Sequence, residues 1–276
     1  MSTIQTLIST MHQTDHTLLD KMNIQTDAIV VNQCDRDEIE RFTYKGHQVL
    51  WMSLKERGVG LSRNTALMRA TADIVLFADD DVVYVDNYPQ LAIQAFEQLP
   101  QADFIVFSMQ VHRSSHTNHK SKKQPILYTH RLHWYNSLRF GTYGFGVRTR
   151  AFKAHNINFH LLFGGGTPFS SGEDSIFITE ALKKKLKIYT TPTQLGTVHH
   201  QTSTWFKGYT EKYWFDKGIL FHYLFGIWAY PLGLALILKN RQQITQMSFL
   251  AACKCLWKGV YQAKQALYSA QHQEKV

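Results

Sequence analysis

The sequence predicts an α/β fold with a largely parallel sheet, followed by a helical appendage at the C-terminal end. Short β-rich runs alternate with helical or loop segments through the first half of the chain. Three consecutive aspartates begin at the end of the fourth of these runs, and a long stretch without Asp, Glu, Lys or Arg begins at Gly218. The chain has 276 residues, of which 44% are hydrophobic and 18% charged, so it can bury a large core.

The first strands are predicted from runs rich in β-branched and aromatic residues. These runs are IQTLIST from Ile4, DAIVVNQ from Asp27, HQVLWMS from His47 and DIVLFAD from Asp73. Residues Leu61 to Ala72 have a polar start and apolar positions at helical spacing, which predicts a helix packed on the sheet. Ligands of open α/β sheets bind beyond the carboxyl ends of the strands, so the three aspartates lie where chemistry is expected.

Later segments predict another strand from Asp103, a glycine-broken strand in FGTYGFGVRTRAF, and a helix that starts near Glu173 and ends in lysines. Acids at the start and lysines at the end of that helix complement its dipole. The uncharged stretch from Gly218 to Leu238 is a shift in composition, and we place the domain boundary ahead of it. We therefore predict one domain over residues 1–205 and a helical region over residues 206–276. We find no internal repeat.

Cysteine usage, the N-terminus and net charge indicate the compartment and the partners. The three cysteines, Cys34, Cys253 and Cys255, are spaced neither as a disulfide framework nor as a CxxC zinc site, which favours a reducing cytoplasm. The first residues lack a basic region and a long apolar region, so we expect no secretory signal. A net charge of +9 indicates an anionic partner: nucleotide phosphates, nucleic acid or lipid headgroups.

The cluster Asp79, Asp80 and Asp81 requires an explanation because neighbouring carboxylates repel each other, most strongly beside apolar walls. One reading is a solvated loop whose acids cap a helix. The other is a site for a divalent cation, and carboxylate oxygens suit Mg²⁺ or Mn²⁺. On these residues alone, a strand-end DxD equally serves a phosphohydrolase or a polymerase-like two-metal site.

Three further stretches resemble the family 2 glycosyltransferases. In GVGLSRNTALMRATADIVLFADDDV, a glycine, an Arg-Asn pair on a helix and a strand ending in DxD follow the family pattern. Downstream, SGEDSIF resembles the ED motif, and TVHHQTST resembles the histidine segment after the last core strand. The resemblance covers about residues 3–205. It implies a GT-A-like, Rossmann-type mixed sheet flanked by helices and an inverting, metal-dependent transferase of the bacterial surface-polysaccharide type.

The resemblance also implies the donor and the residues that bind it. The donor would be a nucleoside-diphosphate sugar, most often a UDP-sugar, used with Mn²⁺ or Mg²⁺. Asp79 would contact the nucleoside, Asp81 would bind the metal ion, and Asp80 would assist either of them. Arg63 and Asn64 would lie beside the nucleotide.

Other implied site residues come from strand ends. Thr10 would lie near the base at the end of the first strand. The family usually has an acid pair after its second strand, whereas this chain offers Asn32 and Asp35 as candidates for a base or ribose contact. One of His199 and His200 would complete the metal and diphosphate shell. Strand alternation favours His200, although histidine pairs are more often surface or core residues.

Asp174 is the candidate general base. The acceptor hydroxyl needs a base on the face opposite the leaving diphosphate, and Asp174 lies at a helix start after a flexible glycine loop. Attack from that face would invert the anomeric configuration. The alternative is that Glu173 and Asp174 are ordinary capping charges, and the upstream DxD favours the catalytic reading.

The C-terminal region predicts peripheral attachment to the cytoplasmic face of a membrane. Residues 218–238 are long enough to span a bilayer, but Pro231 interrupts them, and lysines lie on both flanks. Apolar residues then recur at near-helical spacing among lysines, as in a helix that lies in the interface. A pair of core helices is the alternative. We expect a lipid-linked or polysaccharide-precursor acceptor and an anionic membrane surface as partners, and no nucleic acid.

Two more segments have open interpretations. The loop HRSSHTNHKSKKQ, from His112, is a solvated loop, a phosphate-binding patch or a lid over the nucleotide. Trp205 is either an acceptor platform or a core aromatic residue. A Mg²⁺-dependent phosphohydrolase and a non-enzymatic membrane or nucleic-acid adaptor are the alternative functions.

Overall fold

The structure is a computed structural model that describes residues 2–113, 125–200 and 208–273. The chain forms two compact units. The first contains Met1–Thr167 and Glu173–Thr202, and the second contains Pro168–Gly172 and Ser203–Val276. The chain therefore leaves the first unit after Thr167, contributes five residues to the second, and returns at Glu173.

One large sheet forms the centre of the first unit. Its strands are β1 (Ile4–Met11), β2 (Asp27–Gln33), β3 (Glu38–Tyr44), β4 (His47–Leu54), β5 (Ile74–Asp79), β6 (Val82–Tyr84), β7 (Phe104–Arg113), β8 (Phe145–Arg148) and β9 (Ile188–His200). Their order across the sheet is β3-β4-β2-β1-β5-β8-β7-β9-β6. The strands predicted from the first four β-rich runs thus occupy adjacent places in the sheet.

The sheet is mixed. Strands β4, β2, β1 and β5 are mutually parallel, and β7 is parallel to β9. Strand β8 runs antiparallel to both of its neighbours, and β3 and β6 are antiparallel strands at the two edges. The parallel arrangement predicted for the sheet therefore holds for its first half, and the short antiparallel strands make the whole sheet mixed.

Helices and one 3-10 turn complete the first unit. The helices are α1 (Leu18–Lys21), α2 (Val59–Arg69), α3 (Tyr88–Gln98), α4 (Thr149–Ala154) and α5 (Glu173–Lys183), and the 3-10 turn is Thr142–Gly144. Helix α2 begins at Val59, two residues before the predicted start, and α5 begins at the predicted Glu173.

Side-chain alternation along the central strands divides the core into two layers. Val75 and Phe77 of β5 share one layer with α2 and α5, whereas Leu76 lies in the opposite layer with α3. Within the first layer the ring of Phe159 stacks on Phe177 of α5, with 3.9 Å between centroids. Because strand side chains alternate, Asp79 follows Val75 and Phe77 on the face covered by α2 and α5.

The second unit is helical. It contains α6 (Glu211–Phe225), α7 (Ala229–Asn240) and α8 (Phe249–Gln273), with 3-10 turns at Gly226–Trp228 and Arg241–Gln243. Trp214, Ile237, Leu256 and Val260 are among its buried core residues. A Cβ on Gly218 would lie 2.0 Å from the carbonyl oxygen of Leu256, and one on Gly259 would lie 2.1 Å from that of Phe215. Helices α6 and α8 therefore cross with their backbones in close contact.

The run Glu211–Gln243 is 33 residues long and, by length and composition alone, apolar enough to cross a bilayer. Gly226 interrupts this run with φ +55° and ψ −122°, outside helical values. The two helices on either side would reach only about 22 and 18 Å at 1.5 Å per residue. Each is shorter than the hydrocarbon core of a bilayer, about 30 Å.

Candidate active site

A buried arginine joins two of the candidate carboxylates. Arg63 extends from α2 and is only 4% exposed. Its Nη2 donates to Oδ1 of Asp79, at the end of β5, over 2.7 Å. Its Nη1 lies 3.3 Å from Oδ1 of Asp174 and 3.3 Å from Oε1 of Glu173, at the start of α5. The strand-end aspartate and the candidate base thus contact the same guanidinium group.

Burial and charge together set the protonation of this cluster. Burial alone would lower the pKa of Arg63, but attraction from Asp79, Asp174 and Glu173 reverses the effect and raises the pKa. Burial, with added repulsion from Asp174, raises the pKa of Glu173 to about 7 although Arg63 opposes this. The single positive charge of Arg63 therefore attracts three acids at once. With a pKa of about 7, Glu173 is protonated for part of the time near neutral pH.

A threonine supplies a second contact to the candidate base. Thr142, in the 3-10 turn before β8, is 1% exposed, and its hydroxyl donates a hydrogen bond to Oδ1 of Asp174. The Asp174 side chain keeps 29% of its exposure. Asp174 is therefore anchored on one oxygen by two buried groups while part of its side chain stays accessible.

Asp80 and Asp81 belong to the turn between β5 and β6. Thr10 at the end of β1 donates its hydroxyl to Oδ2 of Asp80 over 2.7 Å. Burial raises the pKa of Asp80, the hydrogen bond from Thr10 opposes that shift, and repulsion from Asp81 adds to it. The carbonyl oxygen of Asp81 accepts the backbone N–H of His199 at 2.8 Å, which fixes this turn to β9.

Three other predicted residues are engaged in holding the backbone or in a surface ion pair. The Asn32 amide bonds both backbone groups of Gln13 and the hydroxyl of Ser53. The Asn64 amide bonds both backbone groups of Phe159. The Asp35 side chain is 91% exposed and pairs with Arg57 at 2.9 Å. Within the described part of the chain, these three residues form no hydrogen bond with the aspartate cluster.

The histidine segment is only partly described. The His199 ring is exposed and stacks on His112 of the neighbouring strand, with 5.5 Å between centroids. The side chain of His200, Trp205 and residues 114–124 of the basic loop lie outside the described residues. The predicted metal ligation by His200, the acceptor platform and the lid are therefore not placed by the structure.

The acids fit a divalent cation that arrives with a phosphate ligand. Across residues 2–113, 125–200 and 208–273, no three His, Cys, Asp or Glu side chains form a preformed metal site. However, Mg²⁺ usually binds one or two carboxylates together with substrate phosphates and waters. Asp80 and Asp81 provide such oxygens, and a cation would relieve the repulsion that helps to raise the pKa of Asp80.

Two members of the site were not identified from the sequence as functional residues. Thr142 lies in FGTYGF, where the flanking glycines predict a turn but nothing indicates a partner 32 residues downstream. For Glu173 the sequence favours a capping charge, and its contact with Arg63 of α2 is seen only in three dimensions. The ED pair is the sequence signal for Glu173, whereas Thr142 has none.

The fold and the site together define a GT-A-type glycosyltransferase, with a mixed sheet flanked by helices and carboxylates at the end of a central strand. The family model described as glycosyl transferase family 2 matches residues 8–159, which is more than half of the chain. The chain belongs to glycosyl transferase family 2, and the protein is a glycosyltransferase. A comparison with curated proteins returned no match.

Solved structures of S. aureus TarS share the fold. The crystal structure of TarS 1-349 in complex with UDP-GlcNAc matches with a TM-score of 0.55 and 14% identity, covering 94% of this chain and 71% of TarS 1-349. The complex with UDP matches with a TM-score of 0.52 and 16% identity, covering 94% and 70%. The GT-A architecture predicted from the sequence is thereby confirmed.

Proposed function

We propose that this glycosyltransferase is inverting and metal-dependent, and that it moves one sugar from a UDP-sugar to a lipid-linked or polysaccharide-precursor acceptor. One observation carries the proposal: buried Arg63 contacts both Asp79, the candidate nucleoside ligand, and Asp174, the candidate base. A shared guanidinium fixes the base relative to the donor site, and such positioning is a large part of bimolecular catalysis. The TarS complexes with UDP-GlcNAc and UDP support the choice of a uridine donor.

The residues divide the reaction between them. Asp79 binds the nucleoside, and Asp174 takes the proton from the acceptor hydroxyl as its oxygen attacks the anomeric carbon. The bond from that carbon to the UDP oxygen breaks, and attack from the opposite face inverts the configuration. Asp80 and Asp81 would hold the cation, which when bound supplies positive charge against the leaving diphosphate.

The acceptor side of the proposal is supported by an exposed stripe on α8. Leu250, Trp257 and Tyr261, on one face of this helix, are 69%, 44% and 58% exposed, and Lys254 and Lys258 lie among them. Aromatic rings favour the membrane interface, and lysines are attracted to anionic headgroups. We therefore assign the protein to the inner face of the cell membrane as a peripheral enzyme.

Calorimetry tests the donor and the metal together. UDP, GDP and dTDP sugars are titrated into the full chain with Mn²⁺ and again with EDTA. We expect UDP sugars to bind most tightly and EDTA to weaken that binding. Asp81→Asn should reduce Mn²⁺-dependent affinity by about tenfold or more, since even outer-shell changes cost about 10- to 100-fold in metal affinity. The exposed Asp37→Asn is the matched control.

Several results would contradict the proposal. If nucleotide affinity is unchanged by both EDTA and Asp81→Asn, the proposed metal dependence is wrong. If GDP or dTDP sugars bind more tightly than UDP sugars, the proposed uridine donor is wrong. Release of inorganic phosphate without sugar transfer would instead support hydrolysis.

A further inference from the structure

We propose that Thr142 is a positioning residue that holds Oδ1 of Asp174, so that Oδ2 is the atom that takes the acceptor proton. This inference rests on the proposed role of Asp174 as the base. The Thr142 hydroxyl donates to Oδ1, and Nη1 of Arg63 lies 3.3 Å from the same oxygen. Within the described part of the chain, Oδ2 of Asp174 accepts no hydrogen bond.

The turn that carries Thr142 has a fixed position. The N–H of Gly144 donates to the carbonyl of Gly141 at 3.2 Å, which closes the 3-10 turn. A Cβ on Gly144 would lie 2.9 Å from the carbonyl oxygen of Phe107, so the turn packs directly on β7. Strand β8 begins at the next residue, Phe145. The Thr142 hydroxyl therefore approaches Asp174 from a backbone that is held by the hydrogen bond of the 3-10 turn and by packing on β7.

The direction of the hydrogen bond follows from chemistry. An ionised carboxylate only accepts hydrogen bonds, so the Thr142 hydroxyl is the donor and keeps its own proton throughout the reaction. Both anchoring groups are buried, at 1% exposure for Thr142 and 4% for Arg63, whereas 29% of the Asp174 side chain remains exposed. Two donors on one oxygen fix the carboxylate plane and leave the other oxygen for the acceptor.

The proton balance is simple. The acceptor O–H bond breaks, its proton goes to Oδ2 of Asp174, and its oxygen bonds to the anomeric carbon. The electron pair of the cleaved bond leaves with UDP. Loss of the Thr142 contact would leave Arg63, at 3.3 Å, as the remaining donor to Oδ1 of Asp174, so the last torsion of Asp174 would be less restricted. The chemical step should then slow while donor binding is preserved.

The test compares Thr142→Val with Thr142→Ser in the full chain. The assay follows UDP release from UDP-GlcNAc, UDP-glucose and UDP-galactose, with water in place of the acceptor hydroxyl. We expect kcat of Thr142→Val to fall by about tenfold, because hydrogen bonds to charged groups are worth roughly that much or more. The donor KM and the Kd for UDP should stay at wild-type values, and Thr142→Ser should restore most of kcat.

Thr149 offers a matched control for the substitution. It is also buried, at 5% exposure, but its hydroxyl has no hydrogen-bond partner among the residues that the structure describes, so Thr149→Val should leave kcat unchanged. If Thr142→Val does not fold, Thr142→Ala against Thr142→Ser makes the same comparison. A normal kcat in Thr142→Val or Thr142→Ala with an inactive Asp174→Asn would overturn the positioning role alone. Normal turnover in Asp174→Asn would overturn the base itself.

Discussion

At the scale of single residues, the organising group is the guanidinium of Arg63, which faces Asp79, Glu173 and Asp174 within 3.3 Å. Three acids around one fixed cation give the site a set geometry and an excess of negative charge. A substitution that keeps the shape of one acid but removes its charge therefore distinguishes the role of that acid in the reaction from its role in the geometry of the site.

Asp174→Asn is such a substitution. The amide oxygen can still accept from Thr142, but the side chain no longer takes a proton. We expect UDP-sugar affinity close to wild type and a fall in transfer of about 10²-fold or more, measured by calorimetry and by UDP release. Glu180→Gln, on the same helix and with the same 29% side-chain exposure, is the control that should retain turnover. Turnover near wild type in Asp174→Asn would contradict the assignment.

Glu173→Gln should change how stability depends on pH. In the folded protein, burial raises the pKa of Glu173 from its ordinary 4.5 to about 7. Between these values the folded state binds more protons than the unfolded state, so wild-type stability falls as pH rises. Glutamine does not titrate, so the difference in free energy of unfolding, variant minus wild type, should rise from pH 5 to 7. Urea unfolding of both proteins at each pH measures this difference in free energy. A difference that does not change with pH would contradict the raised pKa of Glu173.

At the scale of secondary-structure elements, the crossing of α6 and α8 depends on two glycines. A Cβ on Gly259 would lie 2.1 Å from a backbone oxygen of α6, which cannot move without separating the helices. Gly259→Ala should therefore lower the free energy of unfolding by about 1–3 kcal/mol, as overpacked sites do. Gly165→Ala is the control, since a Cβ there meets no atom of the described part of the chain within 4 Å. Equal urea midpoints for the two variants would show that the helices separate easily.

Much of the fold at this scale was predictable because buried parallel strands are nearly continuous apolar runs. Strand β5, IVLFAD, is buried along its length until Asp79. Both the strand and the position of the candidate site at its carboxyl end could therefore be inferred. Strand β3, EIERFTY, was missed because it lies at the sheet edge and its side chains are mostly exposed and polar. Local pattern cannot reveal an edge strand that is stabilised mainly by its neighbour.

For the candidate site, the family pattern indicates which residues to consider but not the contacts that their side chains make. Asp79 and Arg63 belong to stretches that resemble the family pattern, and the structure brings them together. Asn64 belongs to the same Arg-Asn pair as Arg63, and Asn32 is a candidate by its place at a strand end; in the structure their amides bond backbone groups of distant segments. Such pairings arise from tertiary packing, so neither spacing nor composition could indicate them.

At the scale of the whole molecule, the proposed membrane attachment makes a test with the full chain possible. Leu250→Glu combined with Trp257→Glu places charge in the exposed stripe of α8 without touching its buried face. We expect wild type to float with phosphatidylglycerol vesicles in a density gradient and the double variant to remain at the bottom, because charge opposes insertion at the interface. Binding to phosphatidylcholine vesicles should be weaker.

The control for flotation carries equivalent changes in the first unit. Leu127 and Trp134 are 74% and 72% exposed, so Leu127→Glu with Trp134→Glu removes a similar apolar surface elsewhere. This variant should still float. Flotation of the α8 variant at the wild-type level, or no flotation of wild type, would contradict peripheral attachment.

The path of the chain through its two units also sets an order of events during synthesis. Ser170 donates both its N–H and its hydroxyl to Oδ2 of Asp216, which lies 46 residues later. At translation rates of about 5–20 residues per second, that partner is made roughly 2–9 s after Ser170. Strand β9, Ile188–His200, is synthesised within this interval, so all strands of the central sheet in the described part of the chain are made before Ser170 has its acceptor. On the ribosome, the short segment just ahead of the ED pair therefore waits for this anchor until after the sheet strands have been made.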